Sequence, residues 1–134
     1  MQGFLSVSER LHSGLILLAE LAAAPTEAQS LRLIAERMHV SEGYLEEIAA
    51  SLRKQGIITG KRGATGGYVL AVPPESLSLQ AVIEAIEGSI ALVPCQGSSC
   101  LVAAHCRTKH LWGTVQRRLL STLADLTLRD VLNT

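Results

Sequence analysis

The feature that most constrains the fold is a pair of short helices followed at once by a glycine-rich hairpin. Ser30 is the predicted N-cap of a helix over 31–38, and Ser41 is the predicted N-cap of a helix over 42–55. Only residues 39–41 separate the two, and Ser41 is itself the N-cap of the second. Two short helices joined by so tight a turn are typical of a helix-turn-helix.

The segment after the second helix predicts a hairpin that completes this motif. Ile57–Thr59 and Tyr68–Val72 are rich in β-branched and aromatic residues, as strands are. Three glycines lie between them and permit the positive φ of a mobile tip: Gly63, Gly66 and Gly67. The loop lacks the G-K-[ST] of a nucleotide-binding loop and leads into a strand, so we interpret it as the wing of a winged helix. Lys61 and Arg62, at its root, are predicted to reach DNA phosphate or the minor groove.

Helices are predicted on both sides of this motif. Ser6 and Glu9 have the S-x-x-E spacing of a capping box and predict a long helix up to about Ala24. A short amphipathic helix is predicted to end at Gly88, and a longer one begins near Arg107. Six residues of the longer helix share one face: Trp112, Val115, Leu119, Thr122, Leu123 and Leu126.

That face is predicted to form a homodimer, because the winged-helix core is complete without it. The alternative is that the helix folds back onto its own domain, where less apolar surface remains for this face to cover. The fold class is therefore mainly α with a small β-hairpin. We expect a winged helix-turn-helix domain over 1–75, and a loop at about 92–106 followed by a dimerisation helix within 76–134.

Composition limits the cellular setting and the class of function. Twelve basic and twelve acidic residues give a formal net charge of zero, which argues against a generally basic nucleic-acid binder. The residues from 53 to 62 nevertheless include four basic and no acidic side chains. No membrane-spanning run and no secretory signal are recognised, so we expect no membrane association, a cytoplasmic location and reduced thiols.

All three cysteines, Cys95, Cys100 and Cys106, lie in one short stretch. Clustered thiols in a reducing compartment bind metal more often than they pair. Their C-x4-C-x5-C spacing fits no standard zinc finger but suits a loop around an iron–sulfur cluster.

Taken together, these stretches resemble winged-helix transcription regulators of the iron–sulfur cluster regulator (IscR) type. The resemblance rests on L-R-L-I-A-E-R-M-H-V-S-E-G-Y-L-E-E-I, on K-R-G-A-T-G-G-Y-V-L-A, and on C-Q-G-S-S-C with the later cysteine and H-L-W. It implies a homodimer that binds a palindromic operator in double-stranded DNA, acting as a repressor. It also implies an iron–sulfur cluster held by the three cysteines near the base of the dimerisation helix.

The resemblance further implies which side chains face DNA. They are Ser41, Tyr44, Glu46 and Arg53 on or near the recognition helix, with Lys61 and Arg62 in the wing. Glu46 matches the family position where an acid accepts from cytosine or repels unwanted sequences. Glu42 and Glu47 are interpreted as solvated residues.

The fourth cluster ligand departs from the family pattern. In the relatives, a histidine follows the last cysteine by three residues; here Lys109 stands there and His110 comes one later. His110 is the first candidate, because neighbouring helical positions can reach the same site. Other relatives use the first helix of the partner subunit, where Glu9 and His12 lie, and His105 is the last alternative. Mixed ligation favours a [2Fe–2S] over a [4Fe–4S] cluster.

Three functions compete at this stage. The first is a regulator that senses iron–sulfur, redox or nitric oxide status through its cluster. The second is a cluster-free regulator of the same fold that responds by thiol oxidation or protein contact. The third, an electron carrier or enzyme, ranks low because no carboxylate pair, nucleophile–base set or nucleotide loop is recognised; we therefore predict that the chain is not an enzyme.

Overall fold

Six α-helices and one antiparallel hairpin make up the part of the chain that the computed structural model describes, residues 6–93, 101–102 and 104–133. In chain order they are α1 (Glu9–Ala23), α2 (Leu31–Met38), α3 (Glu42–Lys54), β1 (Ile58–Lys61), β2 (Gly67–Leu70), α4 (Leu79–Glu87), α5 (Lys109–Asp125) and α6 (Leu128–Leu132). A 3₁₀ turn, Pro74–Ser76, precedes α4. The predicted fold class is confirmed. Within these ranges no helix is long and apolar enough to cross a membrane.

Helix α1 occupies the centre of the hydrophobic core. It packs against α3, α4 and α6, and its side chains Leu17, Leu18 and Leu21 are fully buried. Gly14 lies where α1 and α4 approach, and a Cβ atom there would collide with the side chain of Ile86. A larger residue there would force the end of the Ile86 side chain to move, so glycine allows α1 and α4 to approach closely without that rearrangement.

The start of α1 differs from the predicted capping box. Ser8, not Ser6, is the N-cap, and its Oγ accepts from the backbone N–H of Leu11 at 3.0 Å. The same hydroxyl donates to Glu87 at the end of α4. Both serines could cap a helix, but only Ser8 gains this second partner, which explains why the helix begins two residues later than expected.

Local capping determines the helix-turn-helix as the sequence predicts. The Ser41 hydroxyl accepts from the N–H of Tyr44 at 3.3 Å and caps α3. His39 ends α2 in the left-handed conformation, with φ of 57°, and turns the chain toward α3. Ser30 stands at the N-cap position of α2 but makes no side-chain capping bond.

The hairpin is joined to the segment before α2. The strands run closer to the tip than predicted, with Ile58 opposite Leu70 and Lys61 opposite Gly67. Gln29 pairs with Tyr68 through two backbone hydrogen bonds of 2.9 Å, which adds a one-residue third strand. Gly67 has φ of 152°, and a Cβ atom there would collide with the Gln29 carbonyl. The wing therefore depends on a glycine at this position.

The C-terminal end of α5 is fixed to the core by backbone bonds. The N–H of Leu79 donates to Leu126, and the N–H of Leu128 donates to Leu77, both at 2.9 Å. Leu128 is fully buried. In contrast, none of the residues Lys109–Asp125 is classed as buried. Helix α5 is thus held at one end and by α4, while most of its surface stays accessible in the single chain.

The close approach at Gly67 predicts opposite effects for two glycine substitutions. Gly67→Ala should lower the free energy of unfolding by about 2 kcal/mol or more, because it adds a Cβ at positive φ against backbone. Gly43→Ala should raise the free energy of unfolding by about 0.5–1 kcal/mol, because Gly43 is an exposed residue of α3 and an added Cβ would meet only Ser41 Oγ, at 3.9 Å. Urea denaturation at one fixed protein concentration measures both. Equal effects of the two substitutions would contradict the tight joint at Gly67.

Candidate nucleic-acid interface and metal centre

An open cleft of about 350 Å³ lies between α3, the start of α2 and the return strand of the wing. Its lining residues are Ser30, Leu31, Arg32, Glu42, Glu46, Ala50, Arg53, Gly66, Gly67 and Tyr68. Glu42, Glu46 and Arg53 recur at helical spacing and so share one face of α3. The structure thus places Glu46 and Arg53, both predicted to face DNA, in one cleft.

Two further charged residues belong to this cleft and were not among the predicted DNA contacts. Glu42, interpreted above as a solvated residue, lies one helical turn before Glu46, and that spacing could have identified it. Arg32 comes from α2 and makes an exposed i,i+4 pair with Glu36 at 3.4 Å. Its place in the cleft depends on how α2 packs against α3, which no local pattern reveals. Glu47, in contrast, lies 3.9 Å from Arg10.

Ser41 and Tyr44 lie beside the cleft at the beginning of α3. Ser41 is exposed and its hydroxyl caps the helix. Tyr44 is half-buried and packs against the hydrophobic core. The first turn of α3 therefore offers a solvent-accessible hydroxyl and part of a phenol ring next to backbone N–H groups, an arrangement suited to phosphate contact.

The wing carries its two cations at the junction between strand and tip. Lys61 is the last residue of β1 and Arg62 is the first residue beyond it, so they lie nearer the tip than the predicted root. Both are exposed. The N–H of Gly66 donates to the Gly63 carbonyl at 3.0 Å and closes the tip. Two exposed cations thus stand at the tip end of the hairpin, whose Gly66 and Gly67 line the cleft.

Cys106 is the one predicted cluster ligand among the cysteines that the described residues include; Cys95 and Cys100 lie outside them. Its Sγ lies 3.4 Å from the hydroxyl of Thr108, just before α5. The Thr108 hydroxyl lowers the pKa of the thiol, and the backbone N–H groups of Thr108 and Lys109 and the Lys109 charge act in the same direction. A thiol that ionises readily is suited to soft metals and to oxidation.

The candidates for the fourth ligand lie in two places. His110 is exposed in the first turn of α5, and His105 is exposed directly before Cys106. Glu9 and His12 are exposed at the start of α1. Within residues 6–93, 101–102 and 104–133, no three His, Cys, Asp or Glu side chains come together to hold a metal ion. The donor chemistry of Cys106 with a nearby imidazole nevertheless fits an iron–sulfur cluster.

Comparison with known proteins identifies the family. Residues 7–134 match Rrf2, described as an iron-dependent transcriptional regulator. The HTH-type transcriptional regulator IscR of Yersinia enterocolitica is 36% identical over 101 residues, which cover 75% of this chain and 62% of that protein. The chain therefore matches less than two thirds of that relative's length. These relatives are named transcriptional regulators, not enzymes, as predicted.

Solved structures agree with the sequence match. CymR, the global cysteine regulator of B. subtilis, has a TM-score of 0.82 at 31% identity, covering 95% of each chain. IscR of T. potens has a TM-score of 0.79 at 35% identity, covering 96% of this chain and 87% of that one. The match spans the helix-turn-helix, the wing and α5. The chain belongs to the Rrf2 family of winged-helix, DNA-binding transcriptional regulators.

Proposed function

We propose that this chain is a cytoplasmic homodimer that represses transcription at a palindromic operator and senses iron–sulfur, redox or nitric oxide status through an iron–sulfur cluster. One observation carries the sensing step: Cys106 lies three residues before the first residue of α5, a helix that the single chain leaves largely uncovered. A change at the cysteine is therefore adjacent to the helix that would pair the subunits. Because of this proximity, binding or loss of a cluster at Cys106 would directly affect how the two subunits pair.

The DNA-reading step is divided between α3 and the wing. Ser41, Tyr44, Glu46 and Arg53 would face the major groove from α3, and Lys61 and Arg62 would contact the backbone or minor groove. Glu46 would accept from a cytosine amino group. Arg32 adds a cation at the start of α2, where it can contact a phosphate. Sequence is thus read by a carboxylate that is surrounded by phosphate-binding cations.

The subunits would pair through α5. Trp112, Val115, Leu119 and Leu123 lie along it and are only half-buried in the single chain, while Leu111 and Leu126 are 57% and 39% exposed. Full burial of an exposed apolar side chain contributes about 1.5–3 kcal/mol, so each of these partly buried side chains would gain a fraction of that value in a dimer. Because a two-fold axis brings the same face of two copies together, one apolar helix face suffices for both subunits.

Cys95, Cys100 and Cys106 would hold the cluster, with His110 as the fourth ligand and His105, Glu9 or His12 as alternatives. The cluster, of [2Fe–2S] rather than [4Fe–4S] type, would supply reversible electron transfer and sensitivity to oxidants and nitric oxide. The protein's own contribution is a readily ionised thiol at Cys106, stabilised by Thr108 and Lys109. Deprotonated thiol is the form that binds iron.

A cluster-free regulator is the second candidate, and Cys106 also favours it. The similar B. subtilis protein is named as a global cysteine regulator. A half-exposed thiol whose pKa is lowered is the kind that oxidises reversibly to a sulfenic acid or disulfide. In this alternative, thiol oxidation or protein contact takes the place of cluster loss, and the DNA-binding surface is the same.

The wing cations should control the salt dependence of operator binding. Replacing both Lys61 and Arg62 by Ala should weaken binding and reduce the slope of log K against log salt by about 0.9 per lost phosphate contact. Arg129→Ala is the control, because it removes an exposed cation of α6, outside α3, the wing and α5, that pairs with Glu75 at 3.1 Å. Electrophoretic shift across a salt series measures the slope. A slope unchanged by the wing double variant would exclude these contacts.

Glu46 should set specificity rather than affinity. Glu46→Ala should reduce discrimination at one operator base pair by about 1–3 kcal/mol while it raises affinity for non-specific DNA. Glu47→Ala removes an adjacent charge that pairs with Arg10 instead, and it should leave discrimination intact. Competition binding with single-base operator variants separates the two outcomes. Similar behaviour of both variants would assign Glu46 only a general electrostatic effect.

Iron content discriminates between the two sensing mechanisms. Anaerobically purified wild-type protein should be coloured and carry about two irons per subunit, the content of one [2Fe–2S] cluster. Cys106→Ser should lose the colour, and His110→Ala should change the absorption spectrum, whereas His105→Ala should retain both. A colourless anaerobic wild-type protein that still binds its operator would refute the cluster and favour the thiol mechanism.

A further inference from the structure

The side chain of Gln116 binds residues 90–92, the chain segment that leads into the loop at about 92–106. This loop carries the three cysteines and is called the cysteine loop below. Gln116 is half-buried near the middle of α5. Its Nε2 donates to the carbonyl of Ile90, and its Oε1 accepts from the N–H of Leu92 at 3.2 Å. One side-chain amide therefore satisfies a backbone acceptor and a backbone donor two residues apart, as a neighbouring strand would.

This contact has a particular place between the two ends of the cysteine loop. Leu92 stands three residues before Cys95 in the sequence, and Cys106 stands three residues before Lys109, the first residue of α5. One end of the loop is thus continuous with the start of α5, and the other end is bonded to the middle of the same helix. Helix α5 receives the loop at two separate points along its length.

The other contacts that hold α5 in place are made by segments outside the cysteine loop, unlike those of the Gln116 side-chain amide. Backbone bonds between Leu79 and Leu126 and between Leu77 and Leu128 hold its C-terminal end, and α4 packs along it. Those attachments do not involve the loop. The Gln116 side chain, in contrast, connects residues 90–92 to α5 by two hydrogen bonds.

We propose that Gln116 is a positioning residue that transmits the state of the cysteine loop to the dimerisation helix. The inference rests on the proposed sensing function and specifies how that function reaches DNA. When the loop rearranges, residues 90–92 move, and the amide carries that movement to the middle of α5. Loss of the amide would remove both of these hydrogen bonds between residues 90–92 and the middle of α5.

Gln116→Met tests this directly, because methionine has a similar length and flexibility but cannot make either hydrogen bond. Gln80→Met is the matched control: Gln80 is a partly exposed helical glutamine whose amide donates to Glu84 at 3.0 Å on its own helix. Gln116→Glu keeps an acceptor for Leu92 but loses the donor to Ile90. It should therefore lie between wild type and Gln116→Met.

Hydrogen exchange of the apo protein gives a readout that needs neither cluster nor DNA. In Gln116→Met the Leu92 amide should exchange about tenfold faster than in wild type, with the core of α1 and α3 unchanged. Gln80→Met should leave Leu92 protection as it is in wild type. Leu92 exchange that is the same in Gln116→Met as in wild type would overturn the proposed contact.

The second measurement is the ratio of operator Kd values between cluster-loaded and cluster-free protein. Gln116→Met should bring this ratio to within about twofold of one while dimerisation and thermal stability are retained, and Gln80→Met should keep the wild-type ratio. A wild-type ratio preserved in Gln116→Met would overturn the coupling role. If the two Kd values of the wild type are equal, the proposed sensing function is wrong, and the coupling role of Gln116 is wrong with it. The hydrogen-exchange result still decides whether the contact between Gln116 and Leu92 exists.

Discussion

The packing of α1 against α3, α4 and α6 is the interaction on which the rest of the structure depends. Its fully buried leucines, Leu17, Leu18 and Leu21, contact a core shared by the recognition helix and by the helices that flank α5. Full burial of one such side chain contributes about 1.5–3 kcal/mol, comparable with a large fraction of the net stability of a small domain. Helix α1 therefore positions α3, which lines the cleft, relative to the C-terminal end of α5.

In the proposed DNA-binding mode, affinity and specificity come from different side chains. Helix α3 presents Glu42 and Glu46 to the cleft, and Arg32 and Arg53 in the same cleft offset their charge. A carboxylate that faces DNA costs affinity wherever it finds no base donor, so it penalises incorrect sequences more than correct ones. This balance is consistent with a formal net charge of zero in a DNA-binding protein, since a strongly basic surface would bind every sequence.

Local chemistry is the part of the fold that the sequence could predict. The N-cap at Ser41, the ends of α2 and the glycine-rich hairpin each depend on a few adjacent residues, and the bounds of α2 were predicted to the residue. The prediction of Ser6 as the N-cap of α1 is wrong; Ser8 caps the helix and also donates to Glu87, far along the chain. Arg32, Gln29 with Tyr68, and Gln116 were missed because each acts through a contact between distant segments.

The attachments of α5 determine where a signal can act. Main-chain bonds fix its C-terminal end, so movement there would require the core around Leu128 to open. The end that begins after Cys106 has an exposed first turn, and Gln116 ties its middle to residues 90–92. The N-terminal half of α5, next to the cysteine loop, is therefore the part of the helix that can move more easily. In the proposed two-fold dimer, a shift of this end would change the separation of the two α3 helices. Helix-turn-helix dimers bind half-sites about 34–36 Å apart, so a small change in α5 would be enough to alter operator binding by that dimer.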